Sequence, residues 1–198
     1  KNKKVNCMTI AQKFGRDYWD GNRKFGYGGY KYIKGRWKSV AKSLIKQYRL
    51  NNNSRILDVG CGKGYLLLEI KNILPDIKVF GTDISHYAKN HSHNEIKKYI
   101  KVFDASRKID FKKNYFDLVI SINTLHNLEI KKLKNALNEI SRIGKKSYLV
   151  VESYRNNKEL FNLQCWALTC KSFLSKNDWK WLFNKRNFSG FYELIYFS

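Results

Sequence analysis

The amino-acid sequence predicts an α/β fold, in which a doubly wound, mostly parallel, Rossmann-like sheet of six or seven strands carries helices on both faces. Short apolar segments recur after about residue 50, as is typical of strands that are buried on both faces. Segments with apolar residues at helical spacing separate them, and this alternation indicates βαβ units. Because crossovers between parallel strands are right-handed, such units wind into a doubly wound sheet.

The first fifty residues differ from the rest, so we divide the chain into an N-terminal lid and helix segment, residues 1–50, and a main domain, residues 51–198. Residues 18–37 are too rich in glycine for a helix interior and too aromatic for a free linker. They predict a loop that packs on the protein and either closes over a ligand or merely covers one face of the sheet. Residues 39–48 have apolar side chains at helical spacing, which predicts a helix.

Strands and helices then alternate to the end of the sequence. The predicted strands are 55–59, 78–83, 99–105, 116–123, 147–153 and 191–197. The predicted helices are 65–74, 86–95, 130–143, 158–174 and 178–186. The last strand has no obvious hairpin partner, which favours six strands over seven.

The segment ILDVGCGKG, residues 56–64, is the strongest local signal. A buried strand runs into alternate glycines and a helix follows, so the backbone can turn sharply and a ligand can lie against it. Free amides at the helix start point into the same crevice. The dinucleotide pattern GxGxxG fails because Tyr65 occupies its third glycine position, and the spacing is too short for a P-loop.

The remaining pattern, Asp-x-Gly-x-Gly-x-Gly, resembles the first motif of the class I S-adenosylmethionine-dependent methyltransferases, and the resemblance covers most of the chain after about residue 50. It implies S-adenosylmethionine as the cofactor. It also implies that Asp83, which ends the second strand, binds the ribose hydroxyls, since a carboxylate accepts two hydrogen bonds at once. A helix cap is the alternative role for this residue. The expected cofactor-binding residues are Asp58, Gly60, Cys61, Gly62, Asp83, Ile84, Asp104, Ala105, Asn123 and Thr124.

The methyl acceptor is less well defined by the sequence, because in-line methyl transfer depends mainly on orientation and exclusion of water. A general base is needed only where the acceptor must lose a proton. His126, after the fourth strand, is the first candidate base, with a structural histidine as the alternative. Tyr154 is the second catalytic candidate. The expected substrate-binding residues are Tyr18, Trp19, Tyr30, Arg36, Glu152 and Arg155.

Several acceptor classes and sites are disfavoured. The Asn/Asp-Pro-Pro-Tyr/Phe motif of enzymes that methylate adenine amines or glutamine amides is missing after the fourth strand. Cys170 falls in a predicted helix, so we expect a packed thiol there rather than a nucleophile. Trp166, in the same predicted helix, is expected in the core, with a substrate wall as the alternative. The histidines lack partners at ligand spacing, so we expect no metal site.

The net charge of +23 has two competing explanations. It favours a polyanionic partner such as RNA. However, Lys outnumbers Arg 30 to 9, and Lys, Asn and Ile make up 67 of 198 residues, as an A/T-rich genome would produce. No apolar run is long enough for a membrane span, and no signal peptide is evident, so we expect a cytoplasmic protein.

The sequence therefore predicts an enzyme that transfers a methyl group from S-adenosylmethionine to an oxygen or nitrogen of a small-molecule metabolite. The main domain leaves little room for a separate substrate-binding domain. An RNA methyltransferase that uses the basic surface, and a cofactor-binding scaffold without catalysis, are the alternatives.

Overall fold

The computed structural model of the protein describes residues 2–186 and 188–198. Its strands are β1 (Arg55–Val59), β2 (Lys78–Asp83), β3 (Ile100–Val102), β4 (Leu118–Ile122), β5 (Ser147–Glu152) and β6 (Phe191–Ile195). They form a six-stranded sheet in the order β3-β2-β1-β4-β5-β6. Every neighbouring pair in this order is parallel, which confirms the predicted doubly wound sheet.

Nine α-helices surround the sheet in the described part of the chain: α1 (Asn2–Ala11), α2 (Arg16–Asp20), α3 (Lys38–Tyr48), α4 (Tyr65–Ile73), α5 (His86–Asn90), α6 (Asn94–Lys97), α7 (Ile130–Ile143), α8 (Asn157–Trp166) and α9 (Lys176–Lys185). Two short 3-10 helices span Arg23–Phe25 and Leu125–Asn127. Among the described residues, none of these helices is both long and apolar enough to cross a membrane.

Two apolar clusters, one on each face of the sheet, form the core. Successive side chains of a strand point to opposite faces, so Ile56 and Leu57 of β1 enter different clusters. Helices α3, α4 and α6 cover the first cluster, and α7 and α9 cover the second, where Trp179 is fully buried. Because α3 contributes Leu44 to the first cluster, this part of the N-terminal segment packs into the main core.

The helix predicted over 158–174 is wrong in its second half. Helix α8 ends at Trp166, and residues 167–174 are irregular, with a bend at 168 and 169. The backbone amides of Lys171 and Ser172 donate to the carbonyl of His126, each at 3.0 Å, so tertiary contacts replace helical ones. Trp166 is therefore 54% exposed rather than in the core, whereas Cys170 is buried but lies outside any helix.

Two other local predictions also differ from the structure. The helix predicted over 86–95 is two helices, because Ser92 donates its hydroxyl to the carbonyl of Lys89 and His93 caps the start of α6. Helices α1 and α2 lie in a region for which a loop, or no element, was predicted.

The direction of winding reverses between β1 and β4, the two central strands. In a doubly wound sheet, the crevice at the carboxyl ends of such strands is the usual ligand site. The glycine loop, the ends of β2 and β4, and the N-terminal segment all meet there.

Candidate active site

The glycine loop after β1 is tied to the end of β2. The amides of Gly60 and Cys61 donate to the carbonyl of Thr82 at 2.7 and 3.0 Å. Gly60 has φ +81°, and a Cβ atom placed on it would lie 2.0 Å from Oγ1 of Thr124. This position therefore requires glycine both for its left-handed backbone and for its close approach to Thr124.

The space beside Gly62 is filled differently from the expectation. A Cβ atom on Gly62, whose φ is +56°, would lie 2.8 Å from Cη2 of Trp19. The sequence suggested that a ligand would rest against the bare backbone here. Instead, the indole ring of Trp19 covers it, held by hydrogen bonds from Nε1 to the carbonyl of Phe14 (3.1 Å) and to Oγ of Ser85 (2.9 Å).

Asp83 lies at the carboxyl end of β2 and is only 8% exposed. Its Oδ2 accepts from the amide of Gly62 and its Oδ1 from the amide of Ser85, both at 2.8 Å. Burial raises the pKa of Asp83, and these two hydrogen bonds oppose that shift. Each carboxylate oxygen has two lone pairs, so the group still has acceptor capacity toward a ligand.

Three cavities surround this part of the molecule. The Asp83 cavity, of about 360 Å³, is lined by the predicted cofactor residues Gly60, Asp83, Ile84, Asp104, Ala105, Asn123 and Thr124. The Asp58 cavity, of about 490 Å³, is lined by Asp58, Gly60, Cys61, Gly62 and Asn123 and by the lid residues Trp19, Tyr30 and Arg36. The Glu152 cavity, of about 460 Å³, is lined by Tyr18, His126, Glu152, Trp166 and Cys170.

Asp58 and Asp104 are carboxyl groups in contrasting surroundings. Burial, reinforced by the nearby charge of Asp83, raises the pKa of Asp58 to about 8. For Asp104, burial acts in the same direction, but hydrogen bonds from the hydroxyl and amide of Ser106 outweigh it and lower the pKa. The Asp58 cavity therefore presents a carboxyl group that a cationic ligand would stabilise.

Aromatic side chains of the predicted lid segment stack on one another and line these cavities. The rings of Trp19 and Tyr27 are nearly parallel, with centroids 5.1 Å apart, and Tyr30 lies 4.7 Å from Tyr27 and 5.2 Å from Tyr65 of α4. Tyr18 packs edge-on against Trp19. The structure thus places the predicted lid residues at the mouth of the crevice.

A buried ion pair fixes the lid to the glycine loop. Nζ of Lys63, a side chain only 4% exposed, lies 2.7 Å from Oδ2 of Asp20 in α2 and donates to the carbonyl of Tyr30 at 2.8 Å. Tyr87 of α5 donates its hydroxyl to the same carboxylate at 2.9 Å. One network therefore joins α2, the glycine loop and α5.

We expect Lys63→Met to destabilise the protein by about 2–4 kcal/mol, because it leaves the partly buried carboxylate of Asp20 without its counter-charge and removes a donor to the carbonyl of Tyr30. Urea unfolding would measure this loss, and proteolysis within the lid should become faster. Lys101→Met, on the exposed side chain of β3, is the control. Equal stability of the two variants would contradict the role of the ion pair.

His126 and Glu152 face each other in the Glu152 cavity. Nδ1 of His126 accepts from the amide of Glu152 at 3.2 Å, so the neutral ring carries its proton on Nε2, 3.4 Å from Oε2 of Glu152. Burial lowers the pKa of His126 to about 3 and raises that of Glu152 to about 7. Because Nδ1 already accepts a hydrogen bond and Nε2 carries the proton, the ring has no free acceptor, and the geometry favours the carboxylate of Glu152 over His126 as a proton acceptor.

Two predicted site residues lie away from the cavities. Tyr154 follows β5 but packs against the small apolar cluster that contains Leu163. Arg155 is paired with Glu159 of α8, with Nε 2.9 Å from Oε1, and stacks over Tyr196. The structure does not bring these two side chains to the site, because the chain turns outward after Ser153.

Two residues of the cavity walls were not among the predicted site residues. Asn127 and Thr169 line both the Asp83 cavity and the Glu152 cavity. Oδ1 of Asn127 is buried without a hydrogen-bond partner. The available signal for Asn127 was its place shortly after the fourth predicted strand, since strand ends line the crevice. Thr169 gave no such signal, because it lies in the segment that was predicted to be helical.

Tyr27 and Asn123 line all three cavities, which therefore meet at these two residues. Asn123 follows β4 directly and has φ +54°, a left-handed conformation that turns the chain at the meeting point. Among the residues that the structure describes, no cluster of His, Cys, Asp and Glu could hold a metal ion.

Comparisons with known proteins agree with this architecture. Residues 50–187 match the family model described as "Methyltransferase domain" (Methyltransf_31). The chain is 34% identical over 110 residues to human arginine-hydroxylase NDUFAF5, mitochondrial, covering 55% of this chain and 31% of that protein. It is 24% identical over 153 residues to the malonyl-(acyl-carrier protein) O-methyltransferase of Bacillus anthracis, covering 71% and 56%. The chain thus spans only about a third to just over half of these curated relatives.

Solved structures show the same fold at low sequence identity. The YcgJ protein of Bacillus subtilis superimposes with a TM-score of 0.61 at 17% identity, over 75% of this chain and 67% of that chain. Geranyl diphosphate C-methyltransferase of Streptomyces coelicolor, solved with S-adenosyl-L-homocysteine, has a TM-score of 0.61 at 13% identity, over 75% and 59%. With the family match over most of the chain, the protein belongs to the class I S-adenosylmethionine-dependent methyltransferase domain family.

Proposed function

We propose that this methyltransferase acts on an oxygen or nitrogen of a small molecule that occupies the Glu152 cavity. The meeting of three cavities at Tyr27 and Asn123 supports this proposal most directly. Two of them contain the predicted cofactor residues, and the third opens beside them. Its volume of about 460 Å³ lies in the range of small-molecule sites.

The residues around the first two cavities fit S-adenosylmethionine, which supplies a methyl group bound to a sulfonium. The carboxylate of Asp83 would accept from the ribose hydroxyls, and Asp58 would face the ammonium of the amino-acid end. The buried Oδ1 of Asn127, which lacks a partner in the structure, is a further acceptor toward a bound donor. Lid aromatics exclude water from the crevice, which favours displacement at a cationic centre.

Binding and product analysis together test this proposal. Calorimetry should detect S-adenosylmethionine binding, and a metabolite extract incubated with protein and methyl-labelled S-adenosylmethionine should yield a labelled small molecule by mass spectrometry. RNA from the same cells is the parallel substrate. Labelled RNA with salt-sensitive binding would replace the proposal by an RNA methyltransferase. Binding without any labelled product would indicate a non-catalytic scaffold.

We also propose a reducing compartment, the cytoplasm, as the place of action. Cys7, Cys61, Cys165 and Cys170 all carry free thiols in the structure, which supports this proposal. Subcellular fractionation with thiol trapping is the test, and recovery of the protein from an oxidising compartment would contradict it.

A further inference from the structure

Glu152 is a largely buried carboxylate with no cationic partner. Its side chain is 13% exposed, and within the described residues no Lys or Arg nitrogen lies within 4 Å of it. The group that touches it is the neutral ring of His126, whose Nε2 lies 3.4 Å from Oε2. A buried charge of this kind costs free energy unless a ligand compensates it.

The walls around Glu152 suit an organic cation. Tyr18, Tyr27 and Trp166 present aromatic rings to the same cavity, and aromatic faces attract ammonium groups. Arg23 and Lys24 also line the cavity, but both side chains are exposed, and the guanidinium of Arg23 lies over Trp166 at 5.2 Å. The other titratable groups there are the phenols of Tyr18 and Tyr27 and the thiols of Cys165 and Cys170. Burial together with Glu152 raises the pKa of Cys170 to about 12, so it stays a neutral thiol.

Resting on the proposed function, we propose that the methyl acceptor is an amine, bound as its ammonium ion at Glu152, and that the carboxylate of Glu152 removes its proton before transfer. The cavity that contains this carboxylate shares Asn123 and Tyr27 with the two cofactor cavities, so the acceptor would lie next to the methyl donor. His126 is a positioning residue, because its Nδ1 accepts from the amide of Glu152 and its Nε2 lies 3.4 Å from the carboxylate.

The step balances in atoms and charge. The ammonium proton moves to Oε of Glu152, which leaves a neutral amine with a free lone pair. That lone pair forms the new N–C bond as the C–S bond breaks, and the electron pair of the broken bond stays on sulfur. The product is a methylated ammonium ion with S-adenosylhomocysteine, and Glu152 returns its proton to solvent.

An amine fits this site better than the other acceptor classes. A carboxylate acceptor would be repelled by Glu152. An alcohol is far less acidic than an alkylammonium, whose pKa is about 10, so a carboxylate is a poor base toward it. Burial raises the pKa of Glu152 to about 7, which narrows the difference between its pKa and that of the ammonium and makes the proton transfer less unfavourable.

The test uses a panel of alkyl and arylalkyl amines, each paired with the alcohol of the same carbon skeleton. In the protein without cofactor, calorimetry should show binding of amines and not of their alcohols. Since Glu152 ionises near pH 7 whereas the amines stay protonated, amine affinity should rise about tenfold between pH 6 and pH 8. Glu152→Gln should remove this rise.

With S-adenosylmethionine present, Glu152→Gln should lower kcat/KM for amines about 100-fold or more and remove the acid limb of the pH profile. Its affinity for S-adenosylmethionine should match that of the wild type, and Glu95→Gln, on an exposed side chain, is the matched control. Methylated alcohols or acids without methylated amines, or full activity of Glu152→Gln, would overturn the inference while leaving the proposed function standing. Failure of the wild type to methylate any small molecule would overturn both.

Discussion

Replacing Asp83 by alanine is expected to weaken S-adenosylmethionine binding by about 1.5–3 kcal/mol, which is roughly a tenfold to hundredfold rise in Kd. The carboxylate lines the Asp83 cavity at the end of β2, and the variant would lose the hydrogen bonds that we propose to the ribose hydroxyls. It also loses the acceptor for the amides of Gly62 and Ser85, which loosens the glycine loop. Calorimetry on the purified variant measures the change.

Asp76→Ala is the control, because Asp76 is exposed and precedes β2 at the opposite end of the strand. Circular dichroism of both variants separates a local binding defect from unfolding. An unchanged Kd in a folded Asp83→Ala variant would show that the ribose assignment is wrong.

Asp58→Asn should stabilise the ligand-free protein at pH 8 by about 3–5 kcal/mol. Burial raises the pKa of Asp58 in the folded protein from 3.8 to about 8. Between these pH values, ionisation of the carboxyl costs free energy in the folded protein but not in the unfolded chain. The wild type therefore loses stability as pH rises through this window, and asparagine, which does not titrate, avoids that loss. At pH 4 the carboxyl of Asp58 is neutral in the folded protein and only partly ionised in the unfolded chain, so the difference should fall below about 1 kcal/mol.

Urea unfolding at pH 4 and pH 8 measures this effect, with Asp76→Asn as the exposed control. The same substitution should weaken S-adenosylmethionine binding, since the cationic amino-acid end loses its counter-charge. A variant less stable than the wild type at pH 8 would contradict the prediction.

The strands of the sheet were readable from the sequence because each is a short apolar run. The predicted bounds of β1 and β2, 55–59 and 78–83, agree with the structure. Residues 167–174 could not be predicted in the same way. Their conformation depends on hydrogen bonds to the carbonyl of His126 and the carbonyl of Leu128, which lie about forty residues earlier in the chain.

The candidate site likewise contains residues that the sequence predicts and residues whose placement it does not predict. The glycine loop and Asp83 follow from a motif and from the rule that strand ends meet in the crevice. The position of Trp19 over Gly62 and the proton on Nε2 of His126 depend on contacts between distant segments. Local patterns carry no information about either, and both change which residues we expect to perform chemistry.

The ion pair between Lys63 and Asp20 has a consequence for the rate of ligand binding. Because this ion pair anchors α2 and the indole of Trp19 covers Gly62, we expect a molecule as large as a nucleoside to bind only after the N-terminal segment moves. We therefore expect observed association rates to level off at high ligand concentration, at a plateau equal to the opening frequency. In stopped-flow measurements, Lys63→Met, which lacks this ion pair, should reach a higher plateau rate.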